Sequence, residues 1–216
     1  TDAGADSVVT ADVLSLRARD EIGVIGGNDI NMTATTLSAV VTQAGDIAID
    51  ETNGLVITEA TTADGAVRVD AAGEVTAPLV QAGLHADDEA NDVTIVTTVG
   101  DVLIDVIRAG DDVTLTATTG AINESGAGDA GLDIIANSGL ATLTAQDEIA
   151  QAVGGGALET AVAQLNASST TAGDIIVAEA DGITLTDVDT VAGSITVTAT
   201  AGDIVAQDVV AGGAGN

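Results

Sequence analysis

The sequence predicts an all-β fold, a right-handed parallel β-helix (β-solenoid) of about 7–11 coils, from three observations. Short runs alternate Val, Ile or Leu with Thr, Ala or Asp, which is the two-residue period of a strand. Glycine recurs at the start of these runs, roughly every eight to eleven residues. Longer stretches of the chain also repeat one another, as they do in proteins built from stacked coils.

Many of the strand-like runs begin with glycine followed by aspartate, as at Gly45-Asp46, Gly100-Asp101, Gly110-Asp111, Gly173-Asp174 and Gly202-Asp203. Glycine tolerates the close approach and positive φ of a coil corner. Two interpretations of the aspartates are open. Stacked carboxylates about 5 Å apart repel one another and would attract cations, or each carboxylate accepts backbone N–H groups of its turn. We expect the second.

A super-repeat of about 128 residues relates the two halves of the chain. The segment Leu16–Ile22 returns as Leu143–Ile149, with Leu, Ala, Asp, Glu and Ile at matching positions. Small changes in the offset along the chain indicate single-residue insertions, which solenoid turns absorb. We expect one solenoid segment over residues 1–216 with about 1.7 copies of the repeat, 2–128 complete and 129–216 partial.

Two other arrangements of the same residues fit the sequence less well. An antiparallel sandwich needs hairpin turns, and only Asn53-Gly54 is a strong hairpin dipeptide. The segment Ala157–Leu165 has apolar residues at helical spacing. Its counterpart Ile30–Leu37 is rich in threonine, which favours a strand. Because equivalent segments of a repeat share a structure, we predict strands for both.

The composition restricts partners and chemistry. The formal charge is −30 and all four basic residues are arginines, so we expect no binding to nucleic acid or to anionic lipid. The chain lacks cysteine and aromatic residues, which leaves a thin core of small and branched side chains. Its hydrophobic content of 46% is too high for a disordered acidic chain. No run approaches about 18 apolar residues, so no membrane insertion of this segment is expected.

The densest acidic cluster follows His85 and contains Asp87, Asp88, Glu89 and Asp92. Closely spaced carboxylates suit Ca²⁺, so these four residues are candidate calcium ligands, with a solvated loop as the simpler interpretation. His85 is the only histidine and has no cysteine to accompany it, which excludes the usual transition-metal sites. We therefore expect no catalytic residues and no required cofactor, with Ca²⁺ as the one candidate ligand.

Other parallel β-helices perform two further functions, which the sequence does not favour here. Polysaccharide-active enzymes stack sugar rings on aromatic side chains, and this chain has none. Ice-binding solenoids carry flat threonine ladders, and Thr-x-Thr pairs occur at Thr114/Thr116 and Thr196/Thr198. These pairs do not recur on every coil, so ordinary β-propensity explains them. We expect that the protein is not an enzyme.

Three motifs of the second half of the chain follow one another in order. Leu-Thr-Ala-x-Asp-x-Ile lies at Leu143–Ile149, Leu-x-x-x-Val-x-x-Leu-x-Ala at Leu158–Ala167, and Gly-Asp-Ile-x-Val at Gly173–Val177. Together they resemble the β-helical repeats of filamentous-haemagglutinin-like large exoproteins and giant bacterial adhesins. The resemblance implies export, an extended rod at the cell surface or in an extracellular filament, and an adhesive or matrix role. It implies no catalytic residues.

The ends of the chain predict its partners. By the repeat offset the chain starts and stops within a super-repeat, and neither end carries a polar or amphipathic cap. Open solenoid ends expose strand edges that invite stacking. We expect the partners to be copies of the chain, end to end or side by side, or neighbouring repeats of a longer chain. A calcium-dependent extracellular binding module is the alternative function.

Overall fold

The computed structural model describes residues 8–83, 90–125, 131–150 and 156–213. Within these ranges the secondary structure is entirely β, in 17 strands. The strands are β1 (Val9–Ala18), β2 (Ile30–Ala44), β3 (Ile47–Glu51), β4 (Leu55–Asp64), β5 (Val67–Ala71), β6 (Val75–Gln81), β7 (Val93–Thr97), β8 (Val102–Arg108), β9 (Val113–Ala117), β10 (Ile122–Glu124), β11 (Ile134–Ala145), β12 (Leu158–Ser169), β13 (Ile175–Glu179), β14 (Ile183–Thr190), β15 (Ile195–Ala199), β16 (Ile204–Ala206) and β17 (Val209–Ala211). In this part of the chain no helix is long and apolar enough to cross a membrane.

The strands stack as a β-solenoid of about nine turns. Every register defined between the described strands is parallel. One column of side chains illustrates the stacking, because Ile47 pairs with Val67, Val67 with Val93, and Val93 with Val113. The predicted β-solenoid is therefore confirmed, and the antiparallel alternative is wrong for the described strands.

The segment with helical spacing is a strand. Residues 158–169 form β12, and the counterpart in the first half forms β2. β-branched threonine in the first copy was thus a better guide than the i, i+4, i+7 spacing in the second. The two strands are also among the longest, since each turns a corner of the coil without interruption.

The core is a column of inward side chains that runs through the stack. In β9, Val113, Leu115 and Ala117 are fully buried, whereas the intervening threonines are only partly buried. Val, Ile, Leu and Ala, with the single Met32, form one cluster that makes up most of the described interior. Burying each large aliphatic side chain contributes about 1.5–3 kcal/mol. This thin aliphatic core is the one that the composition predicts.

Coil corners bring backbones into closer contact than a side chain would allow. Gly45 has φ +148°, and a Cβ built on it would lie 1.3 Å from the carbonyl oxygen of Asp20. Gly65 occupies the same corner one coil later and has φ +147°. A Cβ built on it would lie 2.3 Å from the carbonyl oxygen of Gly45. Glycine at these corners therefore sets how closely adjacent coils approach.

We expect Gly45→Ala to destabilise the fold strongly, because its Cβ would overlap the Asp20 carbonyl. The matched control is Gly26→Ala, where φ is +70° and no atom lies within 4 Å of the added Cβ. That control should cost only about 1–2 kcal/mol, from the left-handed backbone alone. Urea denaturation followed by circular dichroism measures both. Equal losses for the two variants would contradict the proposed role of the corner.

Candidate functional site

Within the described residues, six aspartates each bridge two coils through a carboxylate. Each directly precedes the first residue of a strand and accepts the N–H of the residue at the same position one coil later, at 2.7–3.1 Å. Hydrogen bonds to a charged acceptor contribute about 1.5–3 kcal/mol when buried, and less where solvent competes. The acceptors of this aspartate ladder are Asp46, Asp92, Asp101, Asp112, Asp133 and Asp174.

The ladder decides between the two interpretations of the glycine-aspartate steps. Asp46, Asp101 and Asp174 accept backbone N–H groups, as predicted, although the donor belongs to the next coil rather than to the same turn. At the Asp111-Asp112 step the acceptor is Asp112, which directly precedes the first residue of β9. The sequence motif therefore marked the right corner but not always the right carboxylate.

The candidate calcium cluster falls mostly outside the described residues. Asp87, Asp88 and Glu89 lie there, as does His85, and only Asp92 is described. Asp92 Oδ1 accepts the N–H of Asp112 at 3.1 Å. Burial raises the pKa of Asp92; the hydrogen bond from the Asp112 N–H opposes this, and the nearby Asp112 charge adds to it.

The described ranges contain no group of three or more His, Cys, Asp and Glu side chains that could hold a metal ion. Calcium binding by the acidic cluster therefore stays a prediction.

Two buried glutamates join neighbouring coils by hydrogen bonds, and the sequence analysis did not identify them. Glu51 ends β3 and is 1% exposed. Its Oε2 accepts the N–H of Ala34 at 2.9 Å, and its Oε1 accepts the N–H of Asn53 at 3.0 Å. Burial raises the pKa of Glu51, while the hydrogen bonds from the backbone oppose the shift and the Asp50 charge adds slightly to it.

The second glutamate, Glu179, occupies the same place at the end of β13 and is also 1% exposed. Its Oε2 accepts the hydroxyl of Thr160 at 2.7 Å and the N–H of Val162 at 3.3 Å. Its Oε1 accepts the N–H of Asp181 at 3.1 Å. Each glutamate thus joins its own turn to the coil below, from inside the solenoid.

A sequence signal for these glutamates was present. Glu51 is in phase with the inward-facing Ile47 and Ile49, at a position where the next coils carry Ala71 and Thr97. A charged residue on the inward phase of a strand is rare unless it is hydrogen-bonded. Its recurrence in both halves of the chain is the pattern that would have identified it.

Three carboxyl groups lie together where β10, β11 and β12 meet. Asp133 is 1% exposed, and its Oδ2 accepts the N–H of Glu159 at 2.8 Å. Burial raises the pKa of Asp133 to about 8; the Glu159 N–H opposes the shift, while the Glu159 carboxyl and the charges of Glu159 and Glu124 add to it. Burial among these neighbouring carboxyl groups therefore favours the protonated form of Asp133 to a higher pH than is usual for an aspartate.

A shallow open groove of about 400 Å³ lies beside the stacked Asp50 and Asp70. Arg68 forms a bidentate ion pair with Asp70, at 2.7 and 3.1 Å. The groove is thus partly neutralised from within the chain. When ionised, its Asp and Glu side chains can accept hydrogen bonds but cannot donate them. The surface therefore suits hydrogen-bond donors or cations rather than anions.

The inward side chains at the two ends of the described solenoid are less buried than their counterparts inside it. In the first coil Val9 is 43% exposed, whereas Ile134, its equivalent in β11, is 0% exposed. In the last coil Ile204 is 43% and Val209 is 40% exposed. Their equivalents in β6, Val75 and Val80, are both 0% exposed. The two ends of the described solenoid are therefore apolar surfaces. Inside the solenoid, the equivalent surfaces are covered by another coil.

No protein-family model matches the chain, and neither a curated protein nor a solved structure shows significant similarity to it. The resemblance to filamentous-haemagglutinin-like exoproteins thus depends on the motifs alone, while the solenoid itself is seen directly in the structure.

We expect Glu51→Ala to lower the free energy of unfolding by about 3 kcal/mol, because it leaves the N–H groups of Ala34 and Asn53 without their acceptor. The control is the adjacent Asp50→Ala, whose side chain is exposed and should change stability by less than about 0.5 kcal/mol. Urea midpoints at pH 7 give both values. The same loss in both variants would refute a specific role for Glu51.

Asp133→Asn should weaken the pH dependence of stability. The folded pKa of Asp133 lies above that of an unfolded aspartate, so the stability it contributes is present at low pH and is lost as pH rises towards about 8. Asparagine keeps an acceptor for the Glu159 N–H and supplies a permanent donor. We expect the variant to exceed wild type in urea midpoint at pH 9 but not at pH 5.

The exposed Asp105→Asn controls for the removal of one charge from a highly acidic protein. If Asp105→Asn changes the urea midpoints at pH 5 and pH 9 as much as Asp133→Asn does, the titration of Asp133 plays no part in the pH dependence of stability.

Proposed function

We propose that this chain is a structural segment of a rod, belonging to a secreted or cell-surface protein that forms extracellular filaments and serves in adhesion or as matrix. The observation that carries the proposal is the unbroken stack of about nine turns around a single aliphatic core. Such a stack has a constant cross-section and grows only along its axis. Its length is therefore its main adjustable property, which suits a spacer or stalk.

The chemistry of the side chains is consistent with a structural role. Described carboxylates such as those of Glu51 and Asp101 accept backbone N–H groups and so join coils to one another. A net charge of −30 keeps a valine-rich β protein in solution by self-repulsion. The extracellular location and the adhesive role are supported by the motif resemblance.

Immunoelectron microscopy of the producing cells tests this function, with antibodies raised against the recombinant chain. We expect gold label along thin rods outside the cell envelope, and loss of that label after brief protease treatment of intact cells. Aligned rods should give a diffraction repeat of about 4.8 Å along the axis, the spacing between parallel strands. Label confined to the cell interior, or on compact particles without that repeat, would overturn the proposal.

A further inference from the structure

Two Thr-x-Thr pairs that lie far apart in the sequence are stacked directly on one another in the inner coils. Thr142 pairs with Thr114, and Thr144 pairs with Thr116, across β11 and β9. On the other side of β9, Thr114 pairs with Thr94 of β7. The pairs do not recur at a constant interval in the sequence, because coil length varies. The register nevertheless brings them together on one face of the solenoid.

This face carries a regular array of outward side chains, which we call the threonine array. Two of its columns lie within β7, β9 and β11, and the third follows the ends of these strands. The intervening side chains, such as Ile95, Leu115 and Leu143, are fully buried. Neighbouring coils are about 4.8 Å apart and alternate residues of a strand about 6.6 Å apart, so the array repeats in two directions. Its nine members are Thr94, Val96, Thr98, Thr114, Thr116, Thr118, Thr142, Thr144 and Gln146.

The threonine hydroxyls of the array are free. None of them takes part in a hydrogen bond to another described residue. Outward threonines on other parts of the solenoid differ, since Thr58 donates to the carbonyl of Leu37 and Thr186 to that of Leu165, both at 3.0 Å. Hydrogen bonds between threonines of adjacent strands are a usual way to stabilise a sheet, and the array does not use them. Its donors and acceptors are therefore left for water or a ligand.

The array is uncharged, although the chain contains 34 acidic residues. The coil on one side of it carries Arg68 and Asp70 in the same two columns. The coil on the other side carries Asn166 and Ser168 there, and Ser168 donates to Asp189 at 3.2 Å. Charged or already bonded side chains thus bound the array at both ends. An uncharged ligand complements it best, because a charged one would gain no opposite charge.

The side chains of the array are held in place. β9 pairs along its whole length with β7 on one side and with β11 on the other, without a register shift. Threonine is also stiff at χ1, so its hydroxyl and its methyl group keep fixed directions. Methyl groups restrict the orientations of the water beside them, and hydroxyls hold water by hydrogen bonds. The array therefore presents a preorganised surface on which a layer of water takes up the same two repeats.

The size and chemistry of the array exclude the commoner ligands. Three coils by three columns cover roughly 290 Å² at these spacings, whereas a stable protein contact needs about 800 Å² on each partner. Sugar rings stack on aromatic side chains, and the chain has none. The surface of an ice crystal is uncharged and extended, and its repeat distances are of the same order as those of the array.

We propose that the threonine array binds ice. Water ordered on its hydroxyl and methyl groups joins the lattice of an ice crystal, which fixes the chain to the crystal and stops growth of the ice where the chain is bound. This activity goes beyond the proposed rod function and does not depend on it. The array lies on the side of inner coils, where the stack continues in both directions.

The test measures thermal hysteresis of the recombinant chain and its uptake into a slowly grown ice hemisphere. We expect wild type to separate the freezing point from the melting point and to enter the ice. Thr116→Leu, at the centre of the array, adds a bulkier side chain without charge and should lose most of the hysteresis. The matched control is Thr76→Leu, on the outward phase of β6 on another face, which should keep it. Urea midpoints of both variants should stay near that of wild type.

A second variant and two further measurements make the result specific. Thr144→Leu should repeat the loss if Thr116→Leu lowers the urea midpoint. Wild type that is excluded from ice and shows no hysteresis would overturn the proposal, as would equal losses in Thr116→Leu and Thr76→Leu. Without ice binding, retention on cellulose or chitin that Thr116→Leu abolishes would assign the array to a glycan instead. Self-association in sedimentation velocity that the same variant abolishes, again without ice binding, would assign it to a second copy.

Discussion

The constraint on which the structure depends is the strand spacing of about 4.8 Å along the axis. Each coil must follow the backbone path of the coil beneath it at that distance. Some corners then have room only for glycine, as at Gly45, where the neighbouring carbonyl occupies the place of a Cβ. The same spacing places an aspartate such as Asp46 within hydrogen-bond distance of the N–H of Ala66 in the next coil. Inward aliphatic side chains meet their equivalents above and below for the same reason.

Most of the fold was predictable because its signals are local. The alternation of Val113, Leu115 and Ala117 identifies the inward face of a strand without knowledge of its neighbours. The segment 157–165 could be a helix or a strand by its own pattern. Its counterpart in the first half of the chain is rich in threonine, which favours a strand, and so indicates a strand for both. The expected number of about 7–11 coils also holds, since the solenoid has about nine turns. Paired residues such as Ile30–Ile49 and Val113–Ala141 lie 19 and 28 residues apart, which shows how coil length varies.

The polar sites were harder to predict, because they depend on which residue lies opposite in the next coil. Coil length changes along the chain, so the partner of Asp133, the N–H of Glu159, follows from register and not from any motif. For the same reason, the sequence does not reveal that Asp112 rather than Asp111 accepts the N–H of Leu140. Glu51 is hard to predict for another reason: acidic residues normally face solvent, whereas the phase of β3 places this one inside.

The direction of the hydrogen bonds has a mechanical consequence. In a parallel solenoid the bonds between coils, such as that from the N–H of Ile47 to the carbonyl of Ala66, run along the rod axis. Tension applied to the two ends therefore loads the coils in series, and the end coil detaches before its neighbours. A released coil of 20 residues, the separation of Asp46 from Ala66, extends to roughly 65–70 Å of chain from about 4.8 Å of rod. A rod of this kind would lengthen stepwise under load, one coil at a time.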